Sequence, residues 1–269
     1  MMPMRKDLID RIMSVAGLVV RVCVYVMLAL PAVIVIVSSF AADNVLSFPP
    51  TGFSLRWYKS AFANEEFMAS LWTSTYIGIL ASCLSLGIGF AAAFAIDRYE
   101  FPGRAAFQAL ALSPLIVPGI VLGIGLLYLF AWTGLNQTLA GILFAHVVLA
   151  IPYVVRTVLA SLSLFDRRLE EAAMNLRAPP WVVLRRVTFP MLLPGILSAA
   201  VFAFVVSFGN VTVTAFLTYD DTVTLPVRLF SYVQQSSGPF VAAISSIMIA
   251  VTLIVILVIE KLIGAERLA

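Results

Sequence analysis

The sequence predicts an all-α integral membrane protein with six transmembrane helices and a polar loop between the fourth and fifth. Three observations carry this. Of the 269 residues, 62% are hydrophobic and 12% charged, with a mean hydropathy of +1.04; a soluble domain carries about 25% charge. Six apolar runs are long enough for a span of about 20 residues, with polar turns between them. With the N-terminus inside, the inner loops and ends hold thirteen of the 17 Lys and Arg. The outer side holds Arg56, Lys59 and Arg228, and Arg156 lies within a span. That asymmetry sets the orientation and puts both termini in the cytoplasm. The net charge of +3 therefore needs no nucleic-acid partner. Cys23 and Cys83 fall in predicted spans and read as small apolar core residues, not as a disulfide framework.

Residues 1–21 form a basic, partly amphipathic lead. Arg5, Lys6, Arg11 and Arg21 outweigh Asp7 and Asp10 there. The run Val22 to Phe40 exceeds the core of a signal peptide, about 7–15 residues, and reads as an uncleaved first span kinked at Pro31. Residues 22–269 then form a single transmembrane domain. Pro49-Pro50-Thr51-Gly52 marks a turn, and Ser54 to Lys59 a short interfacial helix with Trp57 and Tyr58 at the membrane boundary. The second span is Met68 to Ile96, with Ala81, Ser85, Gly89 and Ala93 four apart. Small residues at that spacing let helices approach closely in lipid. The third, Ala105 to Thr133, contains Pro114 and Pro118, which break a pathway wall or kink a packed helix. The fourth, Thr138 to Leu164, carries His146 and Arg156. The fifth, Met191 to Leu217, has Gly195, Ala199 and Ala203 four apart and then turns polar at Ser207, Asn210, Thr212 and Thr214. Tyr219 to Pro239 reads as a loop with Asp220, Asp221 and Gln234 to Ser237. Phe240 to Ile259 is the sixth span and Glu260 to Ala269 a charged tail.

The loop of residues 165–190 is a polar island. Leu169, Ala172, Ala173 and Leu176 fall at i, i+3, i+4 and i+7, so a short helix there has one apolar face. Glu170 and Glu171 point away from that face, and Arg167, Arg168, Arg177, Arg185 and Arg186 surround them. A short amphipathic helix on the basic side of the membrane is a candidate docking element. Glu171-Ala172-Ala173, followed by Val187, Phe189 and Pro190, resembles the Glu-Ala-Ala loop of permease subunits of type I ABC importers. The family pattern has Gly where this chain has Arg177, and Ile and Leu where it has Val187 and Phe189. The segments Phe48 to Tyr58, Ser113 to Gly123 and Thr224 to Arg228 look like the spermidine/putrescine-type subfamily, so the resemblance spans nearly the whole chain.

The resemblance implies a bacterial inner-membrane permease working with a second permease subunit, two ATP-binding subunits and an extracytoplasmic substrate-binding protein. ATP and Mg would then sit on the ATPase subunits. It also implies that Leu169, Glu170, Glu171, Ala172, Ala173, Leu176 and Arg177 couple the permease to the ATPase. No Gly-x-x-x-x-Gly-Lys-Ser/Thr loop occurs in this chain, so any ATP is bound elsewhere. His146 is the one histidine, which excludes a multi-histidine metal site, and it reads as a satisfied core residue. No catalytic constellation is present, and an intramembrane serine protease lacks its motif.

Every Asp and Glu falls in a loop or at a span end. This argues against the alternative, a standalone ion-coupled carrier, although backbone carbonyls could serve a carrier. Arg156 either snorkels inward or pairs with a loop carboxylate such as Asp166. Pro118, Ser207, Asn210 and Thr214 are the candidate pathway residues, polar groups or breaks at membrane depth. The subfamily commonly has Ser-x-Asp-Asp where this chain has Ser207-Phe208-Gly209-Asn210. Without either acid, an amino-acid-like or other small polar solute is as fitting as a polyamine.

Overall fold

The computed structural model describes residues 4–45, 48–219, 222–235 and 238–266. Asp220, Asp221, Ser236, Ser237 and Arg267 lie outside the described residues, as do the side chains of Arg5, Lys6, Asp7, Asp10 and Arg11. In chain order the helices are α1 (Met4–Ser38), α2 (Arg56–Ala63), α3 (Glu65–Arg98), α4 (Arg104–Leu112), α5 (Gly119–Thr133) and α6 (Leu139–Ser163). There follow α7 (Arg168–Asn175), α8 (Pro180–Val183), a π-turn (Leu184–Thr188), α9 (Phe189–Phe208), α10 (Leu225–Gln235) and α11 (Pro239–Glu266). Among the described residues, five helical stretches are long and apolar enough to cross a membrane, and α4 with α5 makes a sixth if counted as one bent span.

The structure divides into two compact units. The first comprises residues 1–63 and 233–249. Helix α1 runs on through Pro31, and its apolar surface, Val19 to Leu28, is exposed as a lipid-facing wall would be. The polar segment after it is fastened to α2. The Trp57 indole donates to the Ala41 carbonyl at 3.0 Å, and the Tyr58 and Ser39 hydroxyls share a 2.7 Å hydrogen bond.

The second unit comprises residues 64–232 and 250–269. Helix α3 starts at Asn64, whose side chain accepts from the Phe67 N–H. Glu65 and Glu66 in its first turn and Arg98 in its last complement the helix dipole. Its small residues do face the core: Ala81, Ser85, Gly89 and Ala93 are all buried. The core is built where α3, α6 and α9 meet. There Ala93, Val154, Val158, Leu192, Ala199 and Ala203 are buried together. The approach is close enough that a Cβ on Gly89 would stand 2.7 Å from Val154 Cγ1, and one on Gly195 would collide with Ser161 Oγ. Ser82 Oγ donates to the Ala200 carbonyl at 2.9 Å, a polar tie between α3 and α9.

Several expectations are corrected. The third span is not a kinked rod: α4 passes through a 3₁₀ turn at Ser113–Leu115, and α5 leaves at 104° with Pro118 as its N-cap. Two prolines within five residues remove two helix hydrogen-bond donors and turn the chain. The fifth span begins earlier, at Pro180, and stops at Phe208. Gly209 and Asn210 end it, and only the 3₁₀ turn Thr214–Phe216 follows. The expected loop after Tyr219 contains α10, clamped to the start of α3. The Leu225 N–H donates to Ser74 Oγ, Arg228 Nε donates to Ser70 Oγ, and Arg228 Nη1 pairs with Glu66. The last helix continues through the expected tail to Glu266. Cys23 and Cys83 are exposed, not core residues. Arg156 is exposed and makes no ion pair with Asp166, whose carboxylate instead accepts from the Arg168 N–H.

Candidate functional site

Helix α7 is eight residues, too short to hold itself together alone. The chain fixes both ends. Asp166 Oδ1 accepts from the Arg168 N–H at 3.0 Å and starts the first turn. At the other end, the Ala178 N–H bonds to the Ala173 carbonyl and the Arg177 N–H to the Met174 carbonyl. That pair of bonds is a Schellman ending, with Arg177 at the left-handed position, φ 64°. The family's Gly position is thus the one that needs a positive φ, and here an arginine fills it.

The apolar stripe faces out. Leu169 is 41% exposed and Leu176 85% exposed; Ala172 is exposed and Ala173 half-buried. Both acids point away from that stripe, but they diverge. Glu171 is exposed, whereas the Glu170 side chain is 16% exposed and turned into the protein. Its Oε1 receives Arg98 Nη2 at 2.9 Å and the Thr188 hydroxyl at 2.5 Å. Arg167 Nη2 reaches the Asp97 carboxylate at 2.9 Å and the Asp97 carbonyl at 3.1 Å. Arg98 Nε lies 3.4 Å from Asp97 Oδ2 but makes no hydrogen bond there. The Arg98 guanidinium also lies 5.6 Å from the rings of both Phe94 and Phe165. A groove of about 410 Å³ opens beside this cluster, with Tyr99, Met174, Val183 and Leu184 in its walls.

Sequence reasoning missed Asp97, Arg98 and Thr188. They lie 73, 72 and 18 positions from Glu170, and no local period connects them. The Asp97-Arg98 pair at a span end was the available signal.

The second set of candidates lies where helices break. His146, on α6, is 2% exposed. Its Nδ1 lies 2.7 Å from Ser207 Oγ and its Nε2 3.0 Å from Thr214 Oγ1. Asn210 Oδ1 accepts from Thr214 Oγ1 and from the Val213 and Thr214 N–H groups, so it caps the turn after α9. Ser207 and Thr214 are buried, Asn210 is half-buried, and Thr212 and Pro118 are exposed. The two breaks touch: a Cβ on Gly119 would lie 3.1 Å from Thr212 Cγ2, and one on Gly123 2.7 Å from the Phe216 ring.

A membrane bundle with two broken helices and a short helix displayed in a loop matches a known pattern. The profile of the family described as "binding-protein-dependent transport system inner membrane component" matches residues 11–264. The chain belongs to this family. It is a transmembrane permease subunit of a binding-protein-dependent ABC importer, a non-catalytic member of such systems. The permease is 34% identical over 231 residues to the spermidine/putrescine transport system permease protein PotC of Haemophilus influenzae, covering 86% of this chain and 89% of that one. It is 30% identical over 259 residues to the putative 2-aminoethylphosphonate transport system permease protein PhnV of Salmonella typhimurium, covering 95% and 96%. Among solved structures, a bacterial ABC transporter involved in import of the acidic polysaccharide alginate superposes with a TM-score of 0.67 at 18% identity, over 94% of this chain and 96% of that chain. An inward-facing MetNI methionine ABC transporter gives 0.63 at 17% identity, over 74% and 95%. At those identities the likeness establishes the fold.

Proposed function

We propose that this permease forms half of the pathway of an ATP-driven importer in a bacterial inner membrane, with α7 as its docking helix for an ATPase subunit. A second permease subunit, two ATP-binding subunits carrying ATP and Mg, and an extracytoplasmic substrate-binding protein complete the assembly. Both termini and the α7 loop lie on the cytoplasmic side. The observation that supports this most is the α7 surface: an apolar stripe of Leu169, Ala172 and Leu176 stands exposed on a helix capped at both ends. Such a stripe needs a groove, and the small side chain of Ala173 lets another backbone come near. Glu171 beside it is free to meet a basic residue at the groove's rim, and Arg177 closes the helix so that the stripe keeps its direction.

The pathway runs past the touching breaks at Pro118 and Asn210. Irregular backbone at membrane depth is tolerated where it borders protein or a water-filled cavity. Ser207 and Thr214 hold this wall from behind through His146. The substrate is a small polar solute: polyamine-like, as the PotC relatives' names suggest, or an amino-acid-like or related compound, since Ser207 to Asn210 offers no carboxylate.

Reconstitution with its ATPase and binding protein tests the reading. Uptake is expected to stop without ATP and to survive an ionophore. Uptake by this chain alone, abolished by the ionophore, would instead identify an ion-coupled carrier.

A further inference from the structure

We propose that Glu170 is a positioning residue, the strut through which movement of α7 reaches two transmembrane helices at once, and that it does not touch the ATPase. This rests on the reading of α7 as the docking helix. Glu170 and Glu171 are adjacent, yet only Glu171 is exposed. The Glu170 carboxylate is held by Arg98, the last residue of α3, and by Thr188, the last residue of the π-turn that leads into α9. Arg167, one residue before α7, makes a second clamp on the same α3 end through Asp97.

Three elements thus converge on one carboxylate. The Arg98 and Glu170 side chains are 11% and 16% exposed, so little water is available to replace either partner. Beyond the cluster, α3 and α9 share the buried core with α6 and the Ser82–Ala200 hydrogen bond. A push on α7 therefore cannot be absorbed by α7 alone. The π-turn is the natural place for it to be taken up, since a widened helical turn is an interruption in the regular hydrogen-bond ladder. The apolar stripe supplies attachment, and Glu170 supplies transmission.

The two roles separate in reconstituted vesicles carrying the whole transporter, with retention of the ATPase subunit and solute moved per ATP as readouts. Glu170→Ala is expected to keep the ATPase bound and hydrolysing while solute per ATP falls at least about fivefold. Adding Arg98→Ala to it should lower the ratio by less than about a further twofold, because the two residues act through one contact. Thr188→Val keeps the side-chain shape, removes one hydroxyl and should lower the ratio in the same direction. It decides the matter if the Glu170→Ala permease itself fails to fold and insert. Loss of the ATPase from Glu170→Ala, or an unchanged ratio in Thr188→Val, would overturn the proposal. Glu171→Lys is the control for docking. If it and Ala173→Asp both leave the ATPase bound, the docking reading fails on its own count, whatever Glu170 does.

Discussion

Arg177 sits at φ 64°, a region where a Cβ costs about 1–2 kcal/mol. Arg177→Gly removes that penalty but loosens the unfolded chain by about 0.4–1 kcal/mol. Transport is therefore expected to persist, with a net stability gain between about zero and 1.6 kcal/mol in the thermal unfolding of the purified permease. A large loss of uptake with normal assembly would show that the guanidinium makes a specific contact. His146 is the opposite case, a residue whose side chain completes two others. His146→Ala strands the buried Ser207 hydroxyl, at a cost of about 1–3 kcal/mol, and takes one of two partners from the Thr214 hydroxyl, which keeps its bond to Asn210 Oδ1. A lower melting temperature and poorer yield are expected, where an unchanged midpoint would deny the network a structural role. Both residues were legible in the sequence, Arg177 from a family position that calls for Gly and His146 from its apolar surroundings. The direction of Glu170 was not. A helical wheel places both acids off the apolar stripe, but it cannot say that Arg98 waits on one side.

At the scale of elements, close packing in the α3–α6–α9 core sets the tolerance to change. Gly89→Ala puts a methyl group 2.7 Å from Val154 Cγ1, so α3 or the valine must shift. A cost of about 1–3 kcal/mol is expected, read as a drop in the melting temperature of the purified complex. A neutral substitution would mean that α3 slides freely on α6. The small-residue stripes on α3 and α9 were readable because a four-residue spacing is local. The breaks were less so. Pro114 and Pro118 announce an interruption, but a kink and a 104° turn look alike in sequence. The end of α9 was placed too late because the apolar run continues past Gly209. Helix α10 was hidden in a polar segment: what holds it is Ser70, Ser74 and Glu66, more than 150 residues earlier. Where α9 ends, single cysteines report on the pathway. On a background without Cys23 and Cys83, a cysteine at 210 should react with a small water-soluble thiol reagent. Those at 207 and 214 should react less in the resting state, because their native side chains are buried on His146. Full protection at 210 in both resting and nucleotide-trapped states would move the pathway elsewhere.

The whole molecule is a permease, and its membrane character was written in composition alone, 62% hydrophobic with charges gathered between apolar runs. Partnership is harder to read, since the surfaces that meet other subunits are exposed in the single chain just as lipid-facing ones are. Helix α7 is the exception because its apolar stripe lies in a polar loop, where lipid cannot explain it. Two substitutions test the proposed role of α7 as the joint to the ATPase with little effect on the bundle. Glu171→Lys reverses a charge at the groove's rim, and breaking a buried, hydrogen-bonded ion pair there would cost several kcal/mol. Ala173→Asp places an unpaired charge in the apolar contact and should do worse. The measurement is co-purification of the ATPase subunit with the permease, together with solute-stimulated ATP hydrolysis in reconstituted vesicles. The account predicts that both variants insert normally, lose the ATPase and lose stimulated hydrolysis. If both retain the ATPase and the stimulation at the unmodified level, α7 is not the joint.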